Sequence, residues 1–186
     1  MKQTYSPSMI WAASILLVWI LVATALHQPI QAQQHSRDLV AFGAIKGANF
    51  SAAEAWRLVA SQWLHVKPQH MLLNVLIIGG VGIAAEKRLG RALPAIVALL
   101  GGTLGQLAAV LTEPQAFISG ASQAYLALCG LAVVTDRMDR RWLAWAGLAV
   151  ALALDIFVSG HGAVKAGHLT GLAVGLAAGG LLRLKR

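Results

Sequence analysis

Three short signatures place side chains able to hold or move a proton inside an otherwise apolar chain: His70-Met-Leu-Leu-Asn74, Gly120-Ala-Ser122 and Gly167-His168-Leu-Thr-Gly171. A hydroxyl beside a neutral imidazole is a nucleophile beside its base. The ring takes the Ser122 proton as the oxygen attacks an acyl carbon, then returns it to the leaving amine. His70 and Asn74 stand at i and i+4, so both point from one helical face. They offer a ring N–H and an amide N–H, the donors an oxyanion needs, and one such donor supplies about 3 kcal/mol in a transition state. The spacing places no acidic residue to complete a triad. Asp155 falls near the outer end of the fifth apolar run, where it can orient His161 or pair with Lys165. The expectation is a Ser122–His168 dyad.

The elements that must carry these residues are apolar runs at 9–26, 70–85, 92–111, 117–135, 142–158 and 166–182. Most are long enough to cross a hydrocarbon core of about 30 Å at roughly 1.5 Å per residue. Of the 186 residues, 58% are hydrophobic and 12% charged, against roughly 25% charged in an ordinary soluble domain. The fold class expected is an all-α membrane protein, one domain over 1–186, in which six transmembrane helices form a bundle. Helices suit the task because each segment satisfies its own backbone. The three signatures open alternate runs, which travel in the same direction. They therefore meet at one membrane face, where polar side chains are costly and usually functional.

The net charge of +8 follows topology rather than nucleic acid. With the N-terminus inside, one face holds Lys2, Lys87, Arg88, Arg91, Arg137, Arg140, Arg141, Arg183, Lys185 and Arg186. The other holds Arg37, Lys46, Arg57, Lys67 and Lys165. This bias predicts a cytoplasmic N-terminus, external segments at 28–69 and 159–165, and cytoplasmic ones at 86–91, 136–141 and 183–186. The compartment expected is a bacterial plasma (inner) membrane, with membrane lipid as a partner and no nucleic acid. Residues 1–26 also carry leader-like features, with Ile30-Gln31-Ala32 resembling a cleavage site; the long apolar core favours a retained helix. Cys129 reads as a small core residue. No metal or other cofactor is expected.

Residues 39–64 are too polar to span and too apolar to sit in water, which suggests a loop half-immersed in the outer leaflet. Ser51-Ala-Ala-Glu54 reads as a capping box opening a short helix, and Pro68 suits the first position of the second membrane helix. Gly167, Gly171, Gly175 and Gly179 make a smooth stripe for close helix approach.

With these motifs together the chain resembles the rhomboid intramembrane serine proteases over roughly residues 54–179. Glu54-Ala-Trp56-Arg57 is similar to the Trp–Arg signature of the family's first external loop. His65 with His70 and Asn74 matches H-x4-H-x3-N; Gly82, Glu86 and Gly90 match G-x3-E-x3-G; His168, Gly171 and Gly175 match H-x2-G-x3-G. The resemblance implies a six-helix rhomboid-like bundle with an interfacial first external loop. It implies Ser122 as nucleophile, His168 as base, and His70 and Asn74 with the Ser122 N–H at the oxyanion. Trp56, Arg57, Glu86 and Gly171 take structural roles. Transmembrane protein substrates, cut near the outer face and often after a small residue, are implied as well.

The serine motif departs from the family's G-x-S-G, reading Gly120-Ala-Ser122-Gln123, and Leu126 stands where an aromatic is common, with Tyr125 one residue early. Gln123 needs a hydrogen-bond partner, from His70, the external loop or cavity water, and is expected to narrow the pocket or make it more polar. An inactive rhomboid-like protein that binds membrane helices is the alternative function. Transport is disfavoured because the polar residues stay in the outer third of the helices.

Overall fold

The computed structural model describes residues 5–135, 141–158 and 164–184. Most of the expected loops at 136–141 and 159–165 lies outside these residues, as do Lys2, Arg137, Arg140, His161, Lys185 and Arg186. The described helices are α1 (Pro7–Ala25), the short α2 (Arg57–Ala60), α3 (Pro68–Leu89), α4 (Ala92–Thr112), α5 (Ser122–Thr135), α6 (Trp142–Ala153) and α7 (Ala166–Leu184). A π-helical turn, Leu154–Val158, continues α6. By length and composition α1, α3, α4 and α7 can each cross a membrane, whereas α5 and α6 with its turn are shorter apolar helices.

Two boundaries differ from the sequence expectation. Helix α3 runs on to Leu89 instead of ending near residue 85, so the turn expected at 86–91 shrinks to Gly90, at φ +81°, and Arg91. Glu86 stays inside the helix because its carboxylate accepts the Ser8 N–H at 2.7 Å, at the start of α1. An anion there meets the positive end of the helix dipole. Helix α5 starts at Ser122, not at 117. Phe117–Ile118 (β2) instead pairs antiparallel with Ile45–Lys46 (β1), Ile45 opposite Ile118 and Lys46 opposite Phe117. Gly120 then turns the chain at φ +110°, a conformation that a Cβ would strain. The apolar character of 117–121 belongs to an extended segment.

Every residue from Gly120 to Ala132 is buried. Helix α5 is therefore enclosed as far as Ala132, with α3, α4, α6 and α7 around it. Its small residues, Ala124, Ala127, Cys129 and Gly130, let those neighbours close in. A helix so enclosed need not be long, and it can carry Ser122 and Gln123 away from lipid. A Cβ on Gly171 would collide with the Gln123 carbonyl, and one on Gly175 with the Ala127 carbonyl. Glycine at these positions brings the α7 backbone against α5. The outward faces show Leu21, Leu76, Leu111 and Leu181, all exposed.

Between α1 and α3 the chain is built of short 3-10 turns with β1 and α2. The expected capping box is absent: Ser51 makes no side-chain cap bond. Glu54 pairs with Arg57 instead, because a guanidinium offers a charge-assisted bond stronger than a backbone amide can. Arg57 also donates to the carbonyls of Val40 (2.6 Å) and Ala44 (3.2 Å), and lies 4.6 Å over the Trp56 ring. Trp63 stacks on Trp11 of α1 at 5.3 Å and donates to Ser14 Oγ at 2.7 Å. These contacts brace the turns of the loop and hold it against α1.

Candidate active site

Ser122 ends an extended segment held in three ways. The β1–β2 pair fixes its start, the Gly120 N–H donates to Ser61 O at 2.9 Å, and Gln106 Nε2 donates to Gly120 O at 2.9 Å. As the first residue of α5, Ser122 also has one of the N–H groups that a helix leaves unpaired at its start. Gly167 brings α7 onto Gly105 of α4 and Gly171 brings it onto Gln123 of α5, and His168, between them, reaches the serine. Ser122 Oγ and His168 Nε2 are 2.7 Å apart, both buried.

Asp155 does more than pair with Lys165. Its Oδ2 lies 2.6 Å from His168 Nδ1, so an acidic side chain does stand behind the histidine. The carboxylate also accepts the Lys165 N–H at 3.2 Å, while Lys165 Nζ is 4.0 Å away. Asp155 follows buried Ala151 by four residues and buried Leu148 by seven, so the helical period itself turns it inward; what spacing does not show is that His168 of α7 lies opposite it.

The cavity above Ser122 measures about 290 Å³ and is lined by His70, Ser122, Gln123, Tyr125, Asp155 and His168, with Lys67, Glu113 and Lys165 also on its wall. Leu126 instead shares a smaller crevice with Asp155 and His168. Asn74 does not line the cavity. It is fully buried, and its Nδ2 donates to His70 O at 2.8 Å and His65 Nε2 at 3.0 Å. Both amide hydrogens are thus used in this state. His65 meets the His70 ring edge-on at 5.6 Å. Burial, then the neighbouring His70, hold the His65 pKa down to about 3. Its ring is neutral, with Nδ1 toward Trp63 O (3.4 Å) and Nε2 accepting from Asn74.

Gln123 finds its partner in Gln106 rather than in His70 or the external loop. Because Gln106 turns its NH2 to the Gly120 carbonyl, its Oε1 faces Gln123, which donates through Nε2 at 3.4 Å. The Gln123 Oε1 is left toward Ser122 Oγ, 3.3 Å away. The side-chain stem occupies the space where Gly105 lacks a Cβ. Among few polar residues inside the third apolar run, Gln106 was the available signal. Trp56, Arg57 and Glu86 lie outside the cavity lining and hold the loop and α1.

A family model for the Rhomboid domain matches residues 52–185. Rhomboid-like protease 3 of Toxoplasma gondii is 30% identical over 135 residues, covering 69% of this chain and 51% of that protein. Rhomboid-like protease 2 of the same organism is 30% identical over 151 residues, 77% of this chain and 53% of that protein. RHOMBOID-like protein 7 of Arabidopsis thaliana is 26% identical over 107 residues, 58% and 34% respectively. The chain spans about half the length of the two Toxoplasma proteins.

Proposed function

Because the chain belongs to the rhomboid family of membrane proteins, we propose that it is an intramembrane serine endopeptidase cutting transmembrane-helix substrates near the outer membrane face. One observation carries the reading: the 2.7 Å contact between Ser122 Oγ and His168 Nε2 at the cavity. Ser122 Oγ attacks the scissile carbonyl carbon as His168 Nε2 takes the hydroxyl proton. The tetrahedral intermediate collapses, the C–N bond breaks, and His168 protonates the leaving amine. Water then hydrolyses the acyl-enzyme with His168 again as base.

The oxyanion is assigned to the Ser122 backbone N–H, His70 and Asn74. His70 reaches the cavity directly. Asn74 takes part by exchanging its bond to His65 for one to the oxyanion. Trp56 and Arg57 hold the loop, Glu86 holds α1, and Gly171 sets the spacing of α7 on α5.

The proposed topology has six crossings, α1 and α3 to α7, with the N-terminus cytoplasmic. Cysteines introduced at Arg91 and Glu113 are then expected to label from opposite sides. The bacterial plasma membrane rests on the sequence reading alone, since the relatives compared are eukaryotic. The second reading, an inactive family member that binds membrane helices, is favoured by one feature, Gln123 following the serine.

The test is cleavage of a single-span substrate by the purified chain in liposomes, with the products identified by mass. Wild type is expected to cut near the outer boundary and Ser122→Ala not at all. Equal cleavage by both would exclude Ser122 as nucleophile.

A further inference from the structure

We propose that Asp155 is a positioning residue for His168, holding the proton on Nδ1 so that Nε2 faces Ser122 as a free acceptor. The inference rests on the reading of Ser122 and His168 as nucleophile and base, and adds a third member to it. A neutral imidazole has one N–H, and which nitrogen bears it follows from the partner of the other. At His168 the two partners differ in kind. A carboxylate accepts only, so the 2.6 Å contact to Asp155 Oδ2 requires a proton on Nδ1. A serine hydroxyl can donate, so the 2.7 Å contact at Nε2 is satisfied with the lone pair there. The tautomer set by Asp155 is the one in which the ring can accept the serine proton.

Burial and distance favour this role over ion pairing with Lys165. Asp155 is 2% exposed, and a carboxylate inside a membrane bundle is costly without a close partner. Lys165 Nζ stands at 4.0 Å, the His168 ring nitrogen at 2.6 Å. As Ser122 attacks, His168 acquires a second proton and a positive charge. The carboxylate already in contact compensates that charge at hydrogen-bond distance, and the Asp155 proton count does not change. The bond to the Lys165 N–H is a separate, structural duty that ties the end of α6 to the residue preceding α7.

The experiment uses the full chain in detergent, with ring nitrogens of histidine labelled with 15N, and measures the His168 tautomer by NMR alongside cleavage kinetics of a single-span substrate. Wild type is expected to carry the proton on Nδ1. Asp155→Asn can turn its NH2 to Nδ1, which moves the ring proton to Nε2. The expected result is that change in the 15N pattern, with kcat reduced by up to about 10⁴-fold, as when the Asp of a serine protease triad becomes Asn, and KM little changed. Asp155→Glu keeps an acceptor and is expected to retain the Nδ1 proton and part of the rate. An Nε2-protonated ring in wild type overturns the proposal without recourse to any variant. So does an unchanged tautomer with unchanged kcat in Asp155→Asn. The NMR result does not depend on turnover: wild type that fails to cleave, yet shows the proton on Nδ1 and its loss in Asp155→Asn, removes the protease reading and leaves the role of Asp155 standing.

Discussion

Gly171 on α7 lies so close to the carbonyl of Gln123 on α5 that no side-chain carbon fits between them. The carbonyl is backbone and cannot swing aside. Gly171→Ala must therefore move α7 outward, and His168, one turn earlier, moves with it. Forcing a methyl into such a contact costs roughly 1–3 kcal/mol. A lower melting temperature in detergent and a loss of cleavage of at least about tenfold are expected, since small displacements of reacting groups are amplified in rate. Wild-type activity in Gly171→Ala would show that the Ser122–His168 distance does not depend on this contact.

Gln123 and Gln106 form an amide pair that joins Ser122 to the Gly120 carbonyl. Gln123→Gly removes the side chain without breaking the serine–histidine contact. It is expected to keep activity and to broaden the residues accepted at the cleavage site, measured on a set of substrates varied there. Gln106→Leu leaves the Gly120 carbonyl and the Gln123 amide without this partner, at a cost of about 1–3 kcal/mol in thermal stability. If wild type proved inactive and Gln123→Gly cleaved substrate, the helix-binding reading would replace the protease.

Helix positions were legible in the sequence because long apolar runs have few other solutions. The approach of α7 to α5 was visible in its glycine stripe. What escaped were departures from helical regularity inside those runs. Residues 117–121 are as apolar as a helix would be, and only Gly120 hinted at the turn that makes Ser122 a helix start. Asp155 continues the buried face of Leu148 and Ala151, but the period of α6 does not say which side chain of α7 it meets. Partner choice was equally hidden: spacing put His70 and Asn74 on one face but could not tell that the Asn74 amide would turn to His65.

Arg57 caps two loop carbonyls and pairs with Glu54, outside the cavity lining. Arg57→Ala is expected to lower the melting temperature in detergent and the cleavage rate together, by loosening the loop that carries β1. A fall in rate at unchanged melting temperature would instead indicate direct contact with substrate.

His65 ties pH to stability. Its pKa falls from an ordinary 6.5 to about 3 in the fold. The unfolded chain therefore binds a proton below about pH 6.5 that the folded one refuses until about pH 3. Stability is full above that window and declines as pH falls through it, by about 2 kcal/mol at pH 5 from this group alone. His65→Gln is expected to show a smaller drop in melting temperature between pH 7.5 and pH 5 than wild type. Identical drops would mean that other groups govern the acid limb.

The most direct test of the central claim is reaction of the purified chain with a fluorophosphonate, followed by mass spectrometry of the modified peptide. The account predicts one phosphonylated residue, Ser122, with labelling lost in Ser122→Ala and strongly reduced in His168→Ala, because the base activates the nucleophile. Labelling at a different residue, or equal labelling of wild type and His168→Ala, would contradict it.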